Sequence, residues 1–133
     1  MARILLADDD ADMCEICTRL FARRGHQLSL ATNAEDAVST AIECQPEIIL
    51  MDMTMPVCTG GIVDIQAGLI ATRRIQEIEN LRHVPIVALT GQNMLKEKES
   101  ILAAGCCEVF PKPVQLKELD ALVLRHVPPA SPA

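Results

Sequence analysis

The chain has 133 residues, half of them apolar, with only two Phe and neither Trp nor Tyr. That length suits one domain, and its core must be aliphatic. A formal net charge of −6 disfavours a phosphate backbone as partner, and stacking platforms for single strands are absent, so the domain is not expected to bind nucleic acid.

Arg3–Ala7 is a short apolar run and reads as a strand, followed by Asp8, Asp9 and Asp10. Met13, Ile16, Cys17, Leu20 and Phe21 then recur at helical spacing, and Gly25 ends that helix. Gln27–Ala31 reads as a second strand. Asn33 is placed to N-cap a helix with Ala37, Val38, Ala41 and Ile42 on one face, which Pro46 stops. Glu47–Met51 is the most apolar strand and runs into Asp52. Residues 53–67 read as a loop or the beginning of a helix, and a helix is expected from about Leu69 to Asn80. Val84–Leu89 is a fourth strand, Met94–Ala104 a helix closed by Gly105, Glu108–Phe110 a fifth strand and Val114–His126 a last helix. The domain is expected to span 1–126. Residues 127–133, "VPPASPA", form a Pro-rich tail expected to be disordered.

Strands alternating with helices imply a single α/β domain, a doubly wound five-stranded parallel sheet with helices on both faces. No run reaches transmembrane length and no signal peptide is evident, so the chain reads as cytoplasmic with no membrane contact by this domain. The six cysteines, including the Cys14/Cys17 C-x-x-C and the adjacent Cys106 and Cys107, then read as reduced thiols.

Open α/β sheets bind ligands outside the carboxyl ends of their strands. Here those ends carry Asp8 and Asp9, then Asp52, then Thr90, then Lys112 and Pro113. Carboxylates without His or Cys select a hard cation, Mg²⁺ (or Mn²⁺), which in turn binds phosphate oxygens. A carboxylate is also a competent phosphoryl acceptor, with a hydroxyl and an ammonium to stabilise the moving oxygens. Each residue alone has a plainer reading, as a helix cap, a turn residue or a loop lysine. Their succession at four strand ends is what points to a site.

"ILLADDD", "IILMDMTMP", "VPIVALTG" and "VFPKPV", in that order, resemble the receiver domains of two-component response regulators. The resemblance implies the flavodoxin-like strand order 2-1-3-4-5 and a phosphorylation-dependent switch. It makes Asp52 the phosphoacceptor, Asp9 a direct metal ligand, Asp8 a ligand mostly through water and Thr54 a donor of its backbone carbonyl to the metal. Thr90 binds a phosphoryl oxygen and Lys112 pairs with the phosphoryl group. A histidine kinase or histidine phosphotransfer protein is the implied donor. "MDMTMP" and "ATRRI" resemble receivers of hybrid kinases, so a receiver from a hybrid kinase and a stand-alone regulator are both open.

Two departures stand out. Val109 occupies the position three before the Lys where the family has an aromatic, and Phe110 follows it; core packing is the favoured reading for Phe110. The segment between Asp52 and Thr90 is longer than usual by "GIVDIQAG", residues 61–68. Ile62, Ile65, Leu69 and Thr72 keep helical spacing, so this segment either lengthens the third helix at its N-terminus or forms an apolar loop. Two other functions compete. A haloacid-dehalogenase-like phosphatase also uses Asp, then Thr, then Lys, but its second acidic group follows the Lys. A receiver-like interaction module that no longer switches is the third reading.

Overall fold

The structure is a computed structural model that describes residues 2–61, 63–64, 66–91 and 97–127. The elements follow as β1 (Arg3–Ala7), α1 (Ala11–Arg23), β2 (Gln27–Ala31), α2 (Ala34–Cys44) and β3 (Ile48–Asp52). A two-residue ladder, β4 (Met55–Pro56) and β5 (Val63–Asp64), precedes α3 (Ala67–Gln76) and a 3-10 turn at Glu79–Leu81. β6 (Ile86–Thr90), α4 (Lys98–Ala104), β7 (Glu108–Pro111) and α5 (Leu116–His126) complete the chain. The main sheet has the order β2-β1-β3-β6-β7 with every pair parallel. Counting only its own strands, this is the expected 2-1-3-4-5. Of the expected disordered tail, 127–133, Val127 instead caps α5 and packs against the core, and 128–133 lie outside the described residues.

Alternation along the strands builds two cores. Leu5, Ala7, Ile49, Met51, Ile86 and Ala88 meet the Ala-rich faces of α2 and α3 and Ile101 of α4. Ile4, Leu6, Ile48, Leu50, Val87 and Leu89 meet Cys17, Leu20 and Phe21 of α1 and Leu119, Leu122 and Val123 of α5. Both faces are covered, which is why the central strands are uninterrupted apolar runs rather than alternating ones. Phe110 packs in the α1–α5 core and Val109 in the other, with Ala88 opposite Val109 and Leu89 opposite Phe110. The register is therefore regular, and Phe110 is a core residue.

Local signals explain most boundaries. Asp10 caps α1, its side chain accepting from the Asp12 N–H. Asn33 caps α2 by accepting from the Asp36 N–H at 2.8 Å. Gln115 and Glu118 form a capping box on α5. Gly25 takes φ +76° after α1, a left-handed conformation that suits glycine. Two residues of the expected apolar faces differ from expectation: Ile16 is 44% exposed and Ile42 51% exposed. Each sits at the margin of its helix's buried stripe. α4 begins at Lys98, and the expected beginning of that helix at Met94 lies outside the described residues.

Of the added segment only its last two residues, Ala67 and Gly68, lengthen α3. The helix begins at Ala67, and Val63–Asp64 pairs antiparallel with Met55–Pro56. Ile62 and Ile65 lie outside the described residues. A turn closes between them and β4: Gly61 N–H donates to the Cys58 carbonyl at 2.9 Å and Gly60 takes φ +77°. The arm is anchored to α2, since Val57 accepts from the Glu35 N–H at 2.9 Å and Asn33 Nδ2 lies 3.4 Å from Thr59 Oγ1.

Candidate functional site: an acidic pocket at the carboxyl ends of the strands

β1, β3, β6 and β7 end side by side and carry Asp8, Asp52, Thr90 and Lys112 to one edge. The backbone there is held tightly. Asp8 N–H donates to Ala31, Met53 N–H to Leu89 and Lys112 N–H to the Thr90 carbonyl at 2.6 Å. The Lys112–Pro113 peptide is cis.

Asp8 is fully buried and is the best-satisfied carboxylate of the group. Its Oδ1 accepts from the Asp10 N–H at 2.9 Å and its Oδ2 from Lys112 Nζ at 2.7 Å. The same Nζ lies 3.5 Å from Asp52 Oδ2. Asp52 Oδ1 accepts from the Thr54 N–H at 3.1 Å and lies 3.4 Å from Thr54 Oγ1. Carboxylate oxygens of Asp8, Asp9 and Asp52 all fall within 4.8 Å of one another, with Asp9 exposed at the mouth and the other two buried.

Such crowding has a physical cost. Burial, and then the neighbouring Asp8 carboxylate, raise the Asp52 pKa from its ordinary value to about 7, against the pull of Lys112 and the Thr54 N–H. Burial works against the Lys112 ammonium, but its hydrogen bond to Asp8 and the Asp52 charge outweigh this and raise its pKa. One cation thus serves two carboxylates, and a third carboxylate stands beside them. The deficit of positive charge is what a hard divalent ion would correct. An all-oxygen donor set of three carboxylates with an open, solvent-facing side fits Mg²⁺, which keeps part of its water shell.

Thr90 completes the edge. It is fully buried, and its Oγ1 has no hydrogen-bond partner among the described residues. A buried hydroxyl without a partner is uncommon. At this edge it is a donor available to an incoming oxyanion.

Sequence reasoning did not foresee the contact that Gly68 makes with the end of β3. A Cβ at Gly68 would lie 2.6 Å from Met53 Cα and 2.7 Å from the Asp52 carbonyl oxygen, so α3 begins in backbone contact with the end of β3. A Cβ at Gly60, the residue before the added segment, would have nothing within 4 Å. The usual cost of a glycine inside a helix is thus incurred at Gly68 for a close approach next to Asp52.

Comparison with known proteins agrees with this geometry. The response regulator receiver domain family matches residues 4–124. The chain is 34% identical over 129 residues to hybrid signal transduction histidine kinase G of Dictyostelium discoideum, covering 95% of this chain and 4% of that protein. It is 29% identical over 127 residues to Protein PilH of Pseudomonas aeruginosa, covering 92% of this chain and 98% of that protein. Across four larger relatives, sensor kinases and transcription regulators, it spans 4% to 26% of their length. Among solved structures, the receiver domain of a sensor histidine kinase of Pseudomonas aeruginosa, with a magnesium ion in its active-site cleft, superposes with a TM-score of 0.80 at 30% identity. That match covers 94% of this chain and 96% of the other. A chemotaxis protein of Vibrio cholerae shares the fold at a TM-score of 0.83 and 20% identity, over 96% and 99% of the two chains. No described helix is long and apolar enough to cross a membrane. The chain belongs to the response regulator receiver domain family, the signalling domains of two-component and phosphorelay systems.

Proposed function

We propose that Asp52 is the phosphoacceptor of this receiver, taking a phosphoryl group from the phosphohistidine of a histidine kinase or histidine phosphotransfer protein. The observation that carries the reading is Lys112 Nζ lying between Asp8 Oδ2 and Asp52 Oδ2, at 2.7 and 3.5 Å. In the transfer an Asp52 carboxylate oxygen attacks phosphorus, the bond between phosphorus and the donor imidazole breaks, and the imidazole leaves with its electron pair. The product is an acyl phosphate on Asp52.

Asp8, Asp9 and Asp52, with the backbone carbonyl of Thr54, are the residues proposed to hold Mg²⁺. When bound, the ion supplies positive charge to the phosphoryl oxygens. The protein's own groups do the rest. Lys112 holds Asp8 in place through its hydrogen bond and offers its ammonium to the phosphoryl group. The buried Thr90 hydroxyl, without a partner among the described residues, donates to a phosphoryl oxygen. The new contacts of Thr90 and Lys112 bias β6, β7 and the helices beside them toward a second conformation.

The matching of 98% of PilH and of a small part of a hybrid kinase supports both a stand-alone and a relay setting for this domain. The family match sets the dehalogenase-like phosphatase aside.

The test is phosphorylation by acetyl phosphate or mimicry by beryllofluoride, with and without Mg²⁺. Wild type is expected to gain one phosphoryl group by intact mass and to show backbone amide shifts around Thr90 and Lys112. Asp52→Asn is expected to show neither. Normal modification of Asp52→Asn would overturn the assignment, and modification without amide shifts would favour the non-switching module.

A further inference from the structure

The amino-terminal edge of the sheet, opposite the acidic pocket, holds a second cluster of reactive groups. Cys107 precedes β7 and is exposed, with its backbone N–H fixed to the Ile86 carbonyl at 2.9 Å. Its Sγ lies 4.0 Å from Nδ1 of His126, in the last turn of α5. The other ring nitrogen, Nε2, lies 2.8 Å from Glu108 Oε2, while Glu108 Oε1 accepts from Arg125 at 2.9 Å. An ionised carboxylate can only accept, so Glu108 places the ring proton on Nε2 and leaves the Nδ1 lone pair facing the thiol. A nucleophile, a base and a group that orients the base stand in series, the arrangement that activates a side-chain nucleophile.

We propose that Cys107 is a site of thiol–disulfide exchange with a low-molecular-weight disulfide of the glutathione class, with His126 as base and Glu108 as the residue that orients it. In the step the Cys107 sulfur attacks one sulfur of the disulfide. A Cys107–glutathione bond forms, the incoming disulfide bond breaks, and the second glutathione leaves as a thiol. The Cys107 proton passes to His126 Nδ1 and from there to the leaving thiolate, so atoms and electrons balance without any further oxidant. Burial raises the thiol, so free thiolate is scarce. Removal of the proton during attack is therefore what distinguishes this cysteine. The reaction does not depend on Asp52.

Cys44 supplies a comparison within the same chain, being exposed and without a base in hydrogen-bond contact among the described residues. Reduced full-length protein is treated with glutathione disulfide and quenched at intervals, and each cysteine is quantified by peptide mass mapping. Cys107 is expected to react at least about tenfold faster than Cys44. His126→Gln is expected to remove that advantage and leave the Cys44 rate unchanged. Should His126→Gln fail to fold, Glu108→Gln, which keeps the ring but loses the ionised acceptor, is expected to slow Cys107 in the same sense. A Cys107 rate no greater than that of Cys44 overturns the proposal. So does a Cys107 rate unmoved in whichever of these variants folds.

Discussion

The two edges of the sheet use similar side chains to opposite ends. At the amino edge, Arg3 meets Glu47 and Arg125 meets Glu108, each pair near solvent and each charge with its own partner. At the carboxyl edge, two buried carboxylates share one ammonium, a third stands beside them, and a buried hydroxyl has no described partner. The first edge resembles an ordinary surface. The second stores unfavourable electrostatics in the folded state, which the proposed cation would relieve. Comparable charge is cheap where water screens it and costly where the core excludes water.

The largest effect is expected from breaking that imbalance at its centre. Lys112→Met removes the only described cation in contact with fully buried Asp8 and should cost about 3 kcal/mol or more in Mg²⁺-free urea unfolding. Added Mg²⁺ should recover part of the loss, because an ion that binds only the folded state stabilises it. A loss below about 1 kcal/mol would place this pair with those of the opposite edge.

Asp52→Asn should act with the opposite sign. Folding raises the Asp52 pKa from an ordinary carboxylate value to about 7, so the folded protein binds that proton more tightly than the unfolded chain. Stability of the metal-free protein should then fall as pH rises from about 4 to about 7 and level off above. The Asn variant lacks this cost. Its melting temperature should exceed that of wild type at pH 8 in chelator and approach it near pH 4. Equal melting at pH 8 would show that Asp52 carries no electrostatic cost.

Gly68 sharpens the comparison by a steric route. Gly68→Ala places a methyl against Met53 Cα and the Asp52 carbonyl, backbone atoms that cannot swing away. Destabilisation of about 1–3 kcal/mol is expected, with slower modification by acetyl phosphate because the backbone of the proposed acceptor, Asp52, must shift. Gly60→Ala meets no neighbour, and its cost should be confined to the left-handed φ of the turn.

That pair of glycines also marks what was legible beforehand. Strand ends were readable because uninterrupted apolar runs stop at charge, and Asp8, Asp52, Thr90 and Lys112 each end or directly follow such a run. Convergence followed from a parallel sheet, whose carboxyl ends share one edge. The arm was not readable. A ladder of two residues per strand has no period to detect, and Ile62, Ile65, Leu69 and Thr72 imitate a helix across a boundary that the structure sets at Ala67. Nor could spacing tell which of two glycines meets β3, because that is decided by backbone approach. The Thr90 hydroxyl, without a partner among the described residues, is likewise a product of burial, visible only once α/β packing surrounds it.

The smallest effect tests the amino edge. Arg125 bonds Glu108 at 2.9 Å, yet its side chain is 53% exposed. Water screens the attraction, and ordering a long side chain offsets much of what remains. Arg125→Ala should therefore change stability by about 1 kcal/mol at most, with the difference shrinking as salt rises from about 0.01 to 1 M. Lys112→Met should respond far less to monovalent salt, since Asp8 has no exposed surface for a counterion to reach. The two variants, unfolded in urea across one salt series, would therefore separate the edges by slope as well as by size. Parallel slopes would mean that the carboxyl edge is as well solvated as the amino edge, and that its crowded carboxylates carry no stored cost.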